Sequence, residues 1–72
     1  MSNQNITNTL NDMLVICSKN NLEFTLFREE GENYINYDIE TKKININIFD
    51  YDDENLEKLV NEKYMELKKL FN

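Results

Sequence analysis

Proline and histidine are absent from this 72-residue chain, and glycine and cysteine occur once each. Without histidine, and with Cys17 as the lone thiol, the chain lacks an obvious structural zinc set and can form no internal disulfide. A single glycine rules out a glycine-rich loop of the kind that cradles phosphates. Nothing in the composition marks a linker or a repeat, so residues 1–72 read as one domain. Its size is one at which a single core only just supports folding without staples. No stretch approaches the ~18 consecutive apolar residues of a membrane span. Met1-Ser2-Asn3-Gln4-Asn5 is not a basic segment followed by an apolar block, so no signal peptide is expected. These features point to a reducing cytoplasm, where the Asn5-Ile6-Thr7 sequon carries no meaning.

Positive charge is scarce as well. Eight Lys and Arg face fourteen Asp and Glu, for a net charge of −6. Phosphate binding needs cations, so duplex DNA, RNA and anionic membranes are poor direct ligands, and a basic partner is the better match. A hydrophobic fraction of 40% with 31% charged residues is that of a folded domain. The abundance of Asn, Ile, Lys and Tyr, whose codons are A/T-rich, suggests a low-GC genome such as that of certain bacteria, their phages or plasmids.

Ile6, Leu10, Met13, Leu14 and Cys17 recur on one side of a helical wheel and predict a helix over residues 4–19. Asn20 and Asn21 suit the left-handed conformation that ends helices. Residues 22–27 alternate as a strand, Glu29-Glu30-Gly31-Glu32 turns the chain, and residues 33–39 alternate again. After Glu40-Thr41-Lys42-Lys43, Ile44-Asn45-Ile46-Asn47-Ile48 gives the cleanest period-two signal. Asp50 to Glu54 form an acidic lead-in, with Asp50 or Asp52 as N-cap, to a last helix carrying Leu56, Leu59, Val60, Tyr64, Leu67, Leu70 and Phe71 at helical spacing. Lys63 intrudes on that stripe and is expected to reach along its edge to water. Val15 and Met65 fall opposite the core faces of their helices.

The fold class expected is therefore α+β, in the order α-β-β-β-α, with a three-stranded antiparallel meander and both helices on one face. Two tight hairpins place Leu26 opposite Ile35, Phe24 opposite Tyr37 and Leu22 opposite Ile39, then Ile35 opposite Ile48, Tyr37 opposite Ile46 and Ile39 opposite Ile44. All these rows share the inner face, and a one-residue slip would break the match. The open face then carries the rows Phe27–Tyr34–Phe49, Thr25–Asn36–Asn47 and Glu23–Asp38–Asn45.

Residues 29–57 hold ten acids against Lys42 and Lys43, a net of −8, whereas residues 1–28 balance to zero and residues 58–72 come to +2. In a meander, the first turn and the exit of the third strand lie at the same end. Glu29, Glu30 and Glu32 should thus meet Asp50, Asp52, Asp53 and Glu54 around the aromatic row Phe27, Tyr34 and Phe49. Such a surface suits docking on a basic groove, with charge steering the encounter and aromatics supplying contact area. The plainer reading makes the acids solvated loop residues and the aromatics cross-strand packing.

Other chemistry finds little footing. Asp50-Tyr51-Asp52-Asp53-Glu54 begins like a calcium loop, but Asn55 stands where glycine is required and Asn61 where the bidentate glutamate belongs, so no metal site is assigned. Cys17, on an apolar stripe with no histidine to activate it, reads as a small hydrophobe rather than a nucleophile. No carboxylate pair falls in an apolar context that would separate two pKa values. Neither a catalytic residue nor a cofactor is expected.

The α-β-β-β-α order resembles that of double-stranded-RNA-binding domains, which grip phosphates with a lysine-rich start to the last helix. The corresponding stretch here, Asp52-Asp53-Glu54-Asn55-Leu56-Glu57-Lys58, has the opposite sign. Small size, acidity and element order are also similar to those of phage-encoded anti-CRISPR proteins, some of which occupy the basic nucleic-acid site of a CRISPR nuclease with acidic side chains. That resemblance implies a role for Glu29, Glu30, Glu32, Asp50, Asp52, Asp53 and Glu54. The expectation is an acidic protein-binding inhibitor that docks on a basic nucleic-acid-binding site of a host protein. The alternative is a non-enzymatic assembly module that homodimerises through the open sheet face.

Overall fold

The computed structural model describes residues 2–71; the ends of the single-domain reading, Met1 and Asn72, lie outside the described residues. The elements are α1 (Ser2–Lys19), β1 (Glu23–Phe27), β2 (Tyr34–Asp38), β3 (Lys43–Asn47) and α2 (Leu56–Phe71). Element type and order match the periodicities, and the protein is α+β.

Local stops act where the side chains suggest. Leu22 N–H reaches back to the Cys17 carbonyl at 2.9 Å and Asn21 takes φ 59°, closing α1 with a left-handed residue. Asn20 adds its side-chain amide to the Ile16 carbonyl at 2.8 Å. Gly31 sits at φ 137°, a backbone state open to glycine. Between β2 and β3, Asp38 Oδ1 accepts the Glu40 and Thr41 N–H groups, and Lys42 takes the left-handed φ of 56°. Thr41, through its N–H and its hydroxyl, then the Glu40 N–H and Lys43 hold the Asp38 carboxyl below the usual aspartate range.

The sheet is mixed, with the order β1-β3-β2, not an antiparallel meander. β1 runs parallel to β3, pairing Phe24 with Ile44 and Leu26 with Ile46. β2 runs antiparallel to β3, pairing Ile35 with Ile46 and Tyr37 with Ile44. The first expected hairpin does not form, and the second is shifted by two residues from the expected register. Both departures preserve the faces, because the side-chain period is two. What they change is which strand is central. β3 carries Ile44 and Ile46, Ile48 follows directly on its end, and the middle position buries all three completely or nearly so.

α1 packs on β1 and α2 on β2, and the helices pack on each other. One core joins Ile6, Leu10, Met13, Ile16 and Cys17 of α1 to Leu22, Ile35, the β3 isoleucines and Leu56, Val60 and Leu67. Four residues expected inside are not, among them Leu70 near the end of α2, which is 52% exposed. Leu14 is 43% exposed, because α2 lies alongside α1 and draws Ile16 into the core instead. Leu26 is 48% exposed, because β1 is an edge strand. Ile39, beyond the end of β2, is 65% exposed. Lys63 is half-buried, and its ammonium meets Glu66 at 3.2 Å. Val15 and Met65 are exposed, as their positions on the helical wheels imply.

Candidate functional site

The sheet order gives the acidic end a different origin from the expected one. Because β1 and β3 are parallel, both finish at the same end, and β2 begins there. Residues 28–33 must therefore pass across the end of β3 to join β1 to β2. The segment leaving β3, residues 48–55, starts from the same end. Ile48 N–H first extends the ladder by donating to the Phe27 carbonyl at 3.2 Å.

Two asparagines hold these segments together. Asn47, the last residue of the central strand and on the sheet's open face, is only 2% exposed because the crossing segment covers it. Its Oδ1 accepts the Glu29 N–H at 2.7 Å, and its Nδ2 donates to the Glu29 and Glu32 carbonyls at 3.0 Å each. Asn33 Oδ1 accepts the Phe49 and Asp50 N–H groups at 2.8 and 3.1 Å. Its Nδ2 donates to the Asp50 carbonyl at 2.7 Å and lies 3.5 Å from Asp53 Oδ2. Buried amides without partners are costly, so these bonds fix the path of both segments. Neither residue stands out in the sequence, where Asn47 is one polar position in an alternating strand and Asn33 the first residue after a turn.

The segment before α2 folds as two short turns, each braced by an aspartate. Asp50 Oδ1 accepts the Asp52 N–H and Asp53 Oδ1 the Asn55 N–H, both at 3.0 Å. Asp53 N–H donates to the Asp50 carbonyl and Leu56 N–H to the Asp53 carbonyl. Asn55, and not Asp50 or Asp52, immediately precedes the helix, its carbonyl accepting the Leu59 N–H at 3.0 Å. The aspartates are spent on the turns, which moves the helix start later than the acidic run implied.

Glu29, Glu30, Glu32, Asp50, Asp52, Asp53 and Glu54 thus all lie on two bonded segments at one end of the molecule, Asp53 half-buried and the rest exposed. α2 starts at this end with Glu57 in its first turn and carries Lys68 and Lys69 in its last, the charge order that suits its dipole. Arg28 stands at the same end, its guanidinium 5.9 Å from the centre of the Tyr51 ring.

The aromatic row is rearranged. Phe27 and Tyr34 each pair with Asn47, so an amide sits between them and Phe49 lies past the end of β3. Phe49 and Tyr34 are 44% and 37% exposed and Phe27 is half-buried. The other rows of the open face are Thr25–Asn45–Asn36 and Glu23–Lys43–Asp38, the last placing a lysine between two acids. Cys17 is buried, and burial pushes its thiol pKa up, away from the reactive thiolate. Among the described residues no group of three or more His, Cys, Asp or Glu is arranged to hold a metal ion, and no helix is long and apolar enough to cross a membrane. The end of the molecule is therefore an electrostatic surface: a braced set of carboxylates flanked by exposed rings.

Comparison with protein-family models, with curated proteins and with solved structures finds no match to this chain.

Proposed function

We propose that this protein is a binding protein whose acidic end docks on a basic, nucleic-acid-binding surface of another protein and so inhibits it. The observation that carries the reading is the bracing by Asn33 and Asn47. These two side chains bond to the backbone of the carboxylate-bearing segments, so the chain that carries the charges is held in place before binding. Preorganised charge loses less freedom on association than charge on free loops. Glu29, Glu30, Glu32, Asp50, Asp52, Asp53 and Glu54 supply the potential, and Phe49, Tyr34 and Phe27 the contact area. The carboxylates stand in for phosphates, and a CRISPR nuclease is one target of the right chemistry.

The test is affinity capture by tagged protein from nuclease-treated lysate of a low-GC bacterium, beside a Glu29→Lys/Glu30→Lys/Asp52→Lys/Asp53→Lys variant. The expected outcome is a basic nucleic-acid enzyme retained by the wild type alone and released by a competing oligonucleotide. Its affinity should fall by about tenfold or more between 50 and 200 mM salt, as contacts made by several charges do. Retention that survives charge reversal and ignores salt would sink the reading.

A further inference from the structure

The end of the molecule away from the acids has a chemistry of its own. α1 finishes there, β1 starts there, β2 turns into β3 there, and α2 ends there with Phe71 packed edge-on against Tyr37 at 6.2 Å. An open groove of about 220 Å³ is lined by Leu22, Tyr37, Ile39, Lys42, Leu70 and Phe71. Ile39 and Leu70 are 65% and 52% exposed and line the same groove, which makes them a shared apolar surface rather than scattered side chains. A second groove shares Asn20 and Phe71 with the first and adds Val15, Lys19 and Tyr64. Lys19 and Lys42 line these grooves, and Lys68 lies 5.0 Å from the centre of the Tyr64 ring. Asp12 lines the second groove, and Glu23, Asp38 and Glu40 lie at the same end, with Lys43 paired between the first two.

We infer that this apolar groove, with Lys42 in its wall and Lys19 in the adjoining one, receives the acidic end of a second copy of the chain, so that molecules associate head to tail. The two ends are complementary in both charge and hydrophobicity. One presents exposed Phe49 and Tyr34 among carboxylates, and the other exposed Ile39 and Leu70 beside Lys42. They lie at opposite ends of the fold, so one molecule cannot satisfy both itself. A contact between two different patches does not close on itself in a pair; it propagates into chains or closes as a ring. This goes beyond the partner reading above, which involves the acidic end alone.

Salt gives the contact a signature. At ~10 mM ionic strength the Debye length is about 30 Å, comparable with the longest dimension of the molecule, 30 Å, so successive acidic ends repel one another. At ~150 mM it falls to about 8 Å, and only the short-range lysine–carboxylate and apolar contacts survive. Self-association should therefore persist at ~150 mM, where contacts made at close range remain.

Sedimentation velocity on the full chain, from micromolar to about 1 mM, tests the proposal. The wild type should form species beyond the dimer as concentration rises. A tail variant, Ile39→Asn/Leu70→Asn, and a head variant, Phe49→Asn/Asp52→Asn/Glu54→Gln, alter exposed side chains and should keep the fold by circular dichroism. Each alone should weaken association by about tenfold or more, the factor that losing the burial of one large apolar side chain corresponds to. Mixed, the two should form a 1:1 dimer and nothing larger, since one intact head and one intact tail remain. A wild type that stays monomeric to ~1 mM at 150 mM salt overturns the proposal. So does a tail variant that associates like wild type, or a mixture no better than its parts. The tail variant keeps every acid of the head, so loss of partner capture by the head variant alone bears on the earlier reading and not on this one.

Discussion

Asn47 is where a single side chain carries the most structure. It lies in the central strand, and its amide makes three hydrogen bonds to a segment that has no ladder of its own at that point. Asn47→Ala should cost about 2–3 kcal/mol, because it leaves a backbone N–H and two carbonyls under a covered site without their partner. Chemical denaturation measures the loss, and hydrogen exchange should show the Glu29 amide losing protection before those of β3. Had the acids been on independent loops, the same substitution would cost only a few tenths of a kcal/mol. The alternation of the strand marks Asn47 as outward-facing, and it is. What alternation does not reveal is that a neighbouring segment folds over that outward face.

Among the elements, β3 is the one whose place differs most from the reading of its sequence. Its isoleucines mark it unmistakably as a strand, yet chain order favours pairing of sequential strands and so an edge position. In the structure it is central, with Ile46 opposite both Leu26 and Ile35. Ile46→Ala should therefore cost about 3–5 kcal/mol, the range for a large aliphatic lost from a fully packed site. The equivalent change at half-exposed Leu26 should cost under about 1 kcal/mol. Urea unfolding of the two variants measures the contrast. Near-equal losses would argue that β3 is not flanked on both sides. Both helices were legible from their apolar spacing, but Leu14 and Ile16 exchange roles because α1 packs against α2 as well as β1, and the direction of those contacts sets which arc is buried.

At the scale of the whole molecule, the charge is distributed along an axis, with the acids at one end and lysines among the groups at the other. Gathering carboxylates in one place destabilises the folded state relative to an expanded chain in which they are further apart. Raising ionic strength from ~10 to ~150 mM screens that repulsion, and thermal melting at low protein concentration should shift upward by a few degrees. A melting point that falls with added salt would mean that short attractive pairs outweigh the acidic end. The gathering itself was legible. The expected meander and the observed mixed sheet both bring the 29–32 and 50–54 segments to one end, although by different routes.

Composition and periodicity by themselves determined that this chain is α+β, in which order its elements come, which residues face inward on most of each element, and where its acids cluster. Each of these depends on local spacing or on counting, and none needs to know which strand lies beside which. The sheet order, the parallel pairing of β1 with β3, the work of Asn33 and Asn47, and the aliphatic groove at the far end were decided by tertiary structure alone. The physical reason is the period of two. A strand keeps the same faces whether it is central or at an edge, parallel or antiparallel, in register or shifted by two residues. Only the three-dimensional competition to bury Ile44, Ile46 and Ile48 selects among these arrangements.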